Sequence, residues 1–134
     1  MSHITLKELI PKNKTDIEAV EKLYQYSYQE IKPIVPQLLE WLQDINWPVA
    51  TPMADYLLTM SDYLTDDIIA ILRGKDEVWK YWCLYAFGIN TIKPIEPRLL
   101  QEIEQIAYFP TQGEKEEEVQ EVASKIMNKL KSQT

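Results

Sequence analysis

Apolar residues recur along this chain at three- and four-residue spacing, with no alternating run that would force a strand, so the pattern predicts helices from end to end. Leu6, Leu9 and Ile10 mark a short helical segment that Pro11 terminates. Thr15-Asp16-Ile17-Glu18 reads as a capping box opening a helix with Ile17, Val20, Leu23 and Tyr24 inward, and Ser27-Tyr28-Gln29-Glu30 as a second box. Pro33 and Pro36 predict a bend over 31–35, with Pro36 as the first residue of a helix that buries Leu38, Leu39, Leu42 and Ile45. Asn46-Trp47-Pro48 breaks that helix, and Thr51-Pro52 is expected to start another through Met53, Leu57 and Met60. Thr65 or Asp66 is expected to cap a helix carrying Ile68, Ile69 and Leu72.

The pattern changes at the centre. Gly74 is expected to end one helix in the left-handed conformation, Asp76 to cap the next, and Gly88 to stop it. Past Glu77 only Lys80 is charged, so this helix is apolar on nearly every face and needs cover from several sides, with Trp82 and Tyr85 assigned to the core. After a linker, Pro97 opens a helix with Leu99, Leu100, Ile103 and Ile106, which Tyr108-Phe109-Pro110 closes. Thr111-Gln112-Gly113-Glu114 is a third capping box. The last helix buries Val119, Val122, Ala123, Ile126, Met127 and Leu130, with acids near its start and bases near its end, as the helix dipole favours.

One motif returns. Ile31-Lys32-Pro33-Ile34-Val35-Pro36-Gln37-Leu38-Leu39 recurs 61 positions later as Ile92-Lys93-Pro94-Ile95-Glu96-Pro97-Arg98-Leu99-Leu100, with seven of nine residues identical. An offset holding two helix pairs of about thirty residues each is shorter than the usual HEAT period of about 40–47 but of the same kind. The predicted fold is therefore all-α: a short HEAT-like right-handed stack of about three antiparallel helix pairs, 36–45 with 51–62, 65–73 with 77–88 and 97–107 with 115–131, preceded by one or two N-terminal helices. The rival is a compact bundle in which the two motifs share only bend chemistry. Either way, 134 residues predict one domain, spanning 1–134.

Composition narrows the function. A net charge of −7 with no basic cluster longer than Lys12-Asn13-Lys14 argues against nucleic acid, and favours solubility or a basic protein partner. The first residues lack the apolar core of a signal peptide, and no apolar run is long enough to span a bilayer, so a soluble cytoplasmic protein with no membrane partner is expected. The Asn13-Lys14-Thr15 sequon then reads as a helix cap.

Chemistry is sparse. His3 is the only histidine, which argues against a histidine triad, an imidazole base or a multi-histidine metal site. Cys83, the single cysteine, reads as a buried inert thiol. The three glycines are scattered and suit helix ends rather than a phosphate cradle. Asp62, Asp66 and Asp67 lack the spacing of a calcium loop and suit helix starts, and Glu114 to Glu118 suits a solvated first turn. No catalytic residue, metal or cofactor is expected.

The aromatic residues are the sharper signal. Trp47 and Pro48 lie in one inter-helix turn and Tyr108 and Phe109 in the corresponding turn of the last pair. With Trp79 and Lys80 they are the candidate partner-binding residues, bordering a groove along the edge of the stack. In the competing reading, Trp47 and Tyr108 plug gaps between helix pairs.

The segments Leu9-Ile10-Pro11-Lys12, Leu38-Leu39-Glu40-Trp41-Leu42-Gln43-Asp44, Asn46-Trp47-Pro48-Val49-Ala50, Trp79-Lys80-Tyr81-Trp82, and Ile106-Ala107-Tyr108 with Pro110-Thr111, together resemble a family of small bacterial proteins. It is catalogued as a domain of unknown function, number five-zero-seven-one. The resemblance runs from about Leu9 to Leu130 and implies an all-helical, HEAT-like bacterial domain. It carries over no activity or catalytic residue. The expected function is a non-enzymatic module that binds another protein, as an adaptor or immunity-type protein does. The alternative is a small enzyme or ligand-binding domain with a carboxylate and aromatic pocket.

Overall fold

The computed structural model describes residues 5–132, and every regular element among them is helical, with no strand. The chain forms two compact units, residues 1–60 and 61–134.

In the first unit a 3-10 turn, Leu6–Leu9, precedes α1, Ile17–Leu23. Asp16 caps α1 by accepting the Ala19 N–H, in place of the Thr15 box. Thr15 is held elsewhere: its hydroxyl donates to Asn13 Oδ1 at 2.7 Å and its N–H to the same oxygen at 3.0 Å. The box at Ser27 and Glu30 does form and starts α2, Tyr28–Ile31. In place of the expected bend, helical turns follow without an extended residue: 3-10 over Lys32–Ile34, α3 over Val35–Leu39, and 3-10 again over Glu40–Leu42. Pro33 and Pro36 fall in the opening turns of two of these pieces, where a missing N–H breaks little. The run buries Ile31, Ile34, Val35, Leu38, Leu39 and Leu42, while Ile45 stays half-buried.

α4, Ala50–Leu58, begins before Thr51 and has no side-chain cap. The Val49 N–H just ahead of it donates to the Lys14 carbonyl at 2.9 Å, tying this turn to the approach to α1, and α4 packs on α1 and on Glu40–Leu42. α4 also buries Tyr56, whose hydroxyl has no hydrogen-bond partner and whose ring meets Tyr24 edge-on at 5.0 Å. Burial, then the nearby Tyr24 phenol, push the Tyr56 pKa up to about 12.

The second unit opens with a 3-10 turn, Ser61–Tyr63, and α5, Thr65–Leu72. Neither Thr65 nor Asp66 caps α5: Leu64 occupies the cap position, and Thr65 is buried in the first turn. α6, Glu77–Leu84, is capped by Asp76, which accepts the Trp79 N–H at 3.0 Å. It runs on into a π turn, Tyr85–Ile89, closed by the Asn90 N–H on the Tyr85 carbonyl. α7 is Pro97–Tyr108. The Thr111 and Glu114 box starts α8, Gln112–Glu116, and α9 is Val119–Ser132. The expected single last helix is thus broken, at Glu118, whose φ of 64° is left-handed.

α9 organises this unit. It packs on α7 and α6, and α5 packs on α7. Its side chains also satisfy carbonyls where two helices end: Gln120 donates to Ala107 at the close of α7, and Lys129 Nζ to Ile89 and Thr91 at and just past the end of the π turn. Gly88, expected as the helix stop, lies against α9. A Cβ there would lie 2.3 Å from Ile126 Cδ1, so a larger residue would force the buried Ile126 side chain to shift. Gly74, expected to be left-handed, is not, and closes a turn through its N–H to the Ile71 carbonyl.

The repeated motif takes two conformations. Its first copy is helical with Ile31 fully buried, whereas in the second Ile92 is 99% exposed in a non-helical linker. The 61-residue offset therefore does not mark equivalent structural positions.

Two substitutions test these local arguments by chemical denaturation. Gly88→Ala should lower stability by about 1–3 kcal/mol, the usual range for overpacking. Glu118→Gly should raise it by up to about 1 kcal/mol through relief of the left-handed backbone.

Candidate functional site

The spacing along α6 divides the helix into two faces. Lys80, Cys83, Leu84 and Phe87 fall on one side and are buried; Val78, Tyr81, Trp82 and Tyr85 fall on the other. The helix thus turns its only lysine inward.

Two carboxylates hold it there. Lys80, 3% exposed, donates through Nζ to Glu77 Oε1 at 2.9 Å and to Glu114 Oε2 at 3.0 Å. Glu114 is positioned by its capping box: Oε1 accepts the Thr111 N–H at 2.8 Å, leaving Oε2 for Lys80. Glu77 Oε2 is buried without a partner. Gly113 lets the α8 turn close over Glu77, because a Cβ there would lie 3.3 Å from the Glu77 carboxyl carbon. Burial alone would pull the Lys80 pKa down, but hydrogen bonds and charge from Glu77 and Glu114 outweigh it, and the pKa lies above the ordinary lysine value. Lys80 therefore does not border a groove; it belongs to an interior charge cluster.

The opposite face is aromatic. Tyr81 meets Trp82 edge-on at 4.8 Å and stacks on Tyr85 at 6.4 Å, and Trp82 lies 6.1 Å from Tyr85. Val78 is 45% and Tyr85 38% exposed, so Tyr85 is not the core residue expected; Tyr81, Trp82 and Trp79 are half-buried. This face has no charged side chain among those four positions.

The remaining candidates separate into two places. At the end of α7, Tyr108 and Phe109 are exposed, Phe109 by 73%, and Lys131 Nζ stands 5.8 Å from the Tyr108 ring centroid. In the first unit Trp47 is half-buried against Trp41, with centroids 5.5 Å apart, and Pro48 is exposed. Trp41 and Trp47 line a groove of about 430 Å³ with Ile10, Gln37, Glu40 and Gln43. Sequence reasoning missed Tyr81 and Tyr85 as surface residues and Trp41 as the partner of Trp47. The i, i+3, i+4, i+7 spacing of Val78, Tyr81, Trp82 and Tyr85 is the signal that could have found the first group.

Other chemistry is committed to structure. Cys83 is buried, and burial followed by the charge of Asp76 pushes its thiol far above the ordinary range. Asp66 pairs with Arg98 at 2.8 Å and Asp62 with Lys93 at 3.6 Å. Among the described residues no three His, Cys, Asp or Glu side chains gather as a metal site, and no helix is long and apolar enough to cross a membrane. His3 lies outside the described residues.

Removing the charge of Lys80 strands a buried carboxylate. Lys80→Met should cost about 3–5 kcal/mol in denaturant unfolding, and adding Glu77→Gln and Glu114→Gln should recover much of it. The native Lys80 pKa is raised above 10.5, so its contribution is complete below pH 10.5 and disappears as pH climbs through the native value. Stability measured against pH should show this alkaline loss in the wild type, and Lys80→Met should lack that component.

None of the curated proteins matches the chain. The model of a family described as a domain of unknown function (DUF5071) matches residues 9–127, which takes in α1 through most of α9. The chain belongs to that family.

Proposed function

We propose that this protein is a non-enzymatic interaction module of the bacterial cytoplasm that holds another protein against the aromatic face of α6. The observation that carries this reading is the placement of the side chains of the helix: its one cation is buried, while Val78 and Tyr85 are exposed with Tyr81 and Trp82 half-buried beside them. Tyr and Trp are the residues most enriched at binding hot spots, because they bring large apolar area and a polar handle with few rotatable bonds. A net charge of −7 favours a partner whose contact surface is apolar at the centre and basic at the rim.

The architecture we propose around this face is a HEAT-like right-handed stack within one domain. Its support is the packing of α5 on α7 and of α6 on α9, which sets one helix pair against the next, and a family match that runs across both units. The enzymatic alternative has less to stand on. Glu77 and Glu114 are bound to Lys80, and Glu40 beside Trp41 is exposed.

A photo-crosslinking amino acid at position 85, compared with one at the exposed position 104, tests the proposal in living cells. A discrete adduct should form from 85 and be absent from 104, and Val78→Glu should abolish it while leaving the melting temperature within a few degrees. Equal adducts from both positions, or none from 85, would refute the assignment.

A further inference from the structure

The groove beside Trp41 and Trp47 lies within residues 1–60 and is independent of the α6 face. Its two indoles stand 73° apart with centroids separated by 5.5 Å, so they form the inner corner of a box. Ile10 adds an aliphatic side chain, Gln37 and Gln43 add amides, and Glu40 supplies the only charge in the lining. Glu40 is exposed, and among the described residues it joins no ion pair.

The indoles and the carboxylate of this lining favour positive charge. Indole faces carry the negative end of the ring quadrupole, and two at right angles can contact one rounded cation from two sides. The carboxylate adds attraction that a neutral ligand cannot use. A metal ion or a bare ammonium gives up more hydration at a ring face than an alkylated ammonium, which presents methyl groups to the rings and keeps its charge. The volume, about 430 Å³, admits such a head group with room for the chain that bears it. We infer that the Trp41–Trp47 corner is a binding site for an alkylammonium group, trimethylammonium above all, borne by a free small molecule or by a methylated lysine on a protein.

Isothermal titration calorimetry on the full chain at low salt tests this with choline, with its neutral isostere 3,3-dimethylbutan-1-ol, and with a short trimethyl-lysine peptide. Choline or the peptide should bind with one-to-one stoichiometry, and the neutral alcohol at least about tenfold more weakly than choline. Trp47→Leu should weaken binding on the order of tenfold, and Glu40→Gln severalfold. Glu40 is exposed, so that second variant keeps its fold, which its melting curve will verify. A peptide affinity well above that of choline assigns the group to a protein, and equal affinities assign it to a free small molecule. Absence of binding by both cations, alcohol binding equal to choline, or affinities unchanged by both variants would overturn the inference.

Discussion

An ammonium group enclosed by protein must find its counter-charges there, and Lys80 finds two, on Glu77 one turn earlier and on Glu114 at the start of α8. That requirement fixes the rotation of α6. A turn of about 100°, one residue's worth, would expose the lysine, strand Glu114 indoors and drive the outer aromatics into the core. Buried ion pairs add little net stability, because desolvation offsets most of their attraction. Their effect here is on choice among packings. The pair also joins α6 to the segment between α7 and α9, since the carboxylate that receives Lys80 is the one that caps α8.

From this follows the character of the surface. With the lysine withdrawn, the outward side of α6 has only Val78, Tyr81, Trp82 and Tyr85 to present, and the three rings pack against one another. The π turn after α6 serves the same end on the inward side. It brings Gly88 against Ile126, so α9 lies close along the buried face while Lys129 satisfies the carbonyls of Ile89 and Thr91.

Much of the helical scaffold was legible because capping is local chemistry. The boxes at Ser27 and Thr111 and the cap at Asp76 need only a side chain and an amide three residues away, and all three form. Long-range context decided the rest. The Ile-Lys-Pro-Ile motif is helical where a capping box precedes it and leads into a buried run. It is non-helical where it follows a π turn, with a distant lysine holding the carbonyls of Ile89 and Thr91. Gly88 answers to a side chain 38 positions away, which no local rule encodes. The site divided in the same way. Trp47, Tyr108 and Phe109 were recognisable as turn aromatics, but periodicity rules place a lysine outside, and so hid both the interior role of Lys80 and the surface role of Tyr85. Glu77 three residues before Lys80 was a local hint; Glu114 could be recognised only in the fold.

The inward orientation of Lys80 is the claim on which the surface reading rests, and amine labelling measures it directly. Brief reductive methylation of the native protein, resolved by peptide mass spectrometry, should modify exposed Lys75 and Lys93 while leaving Lys80 unmodified until the protein is denatured. Labelling of Lys80 at the rate of Lys75 would place the ammonium in solvent and contradict the account.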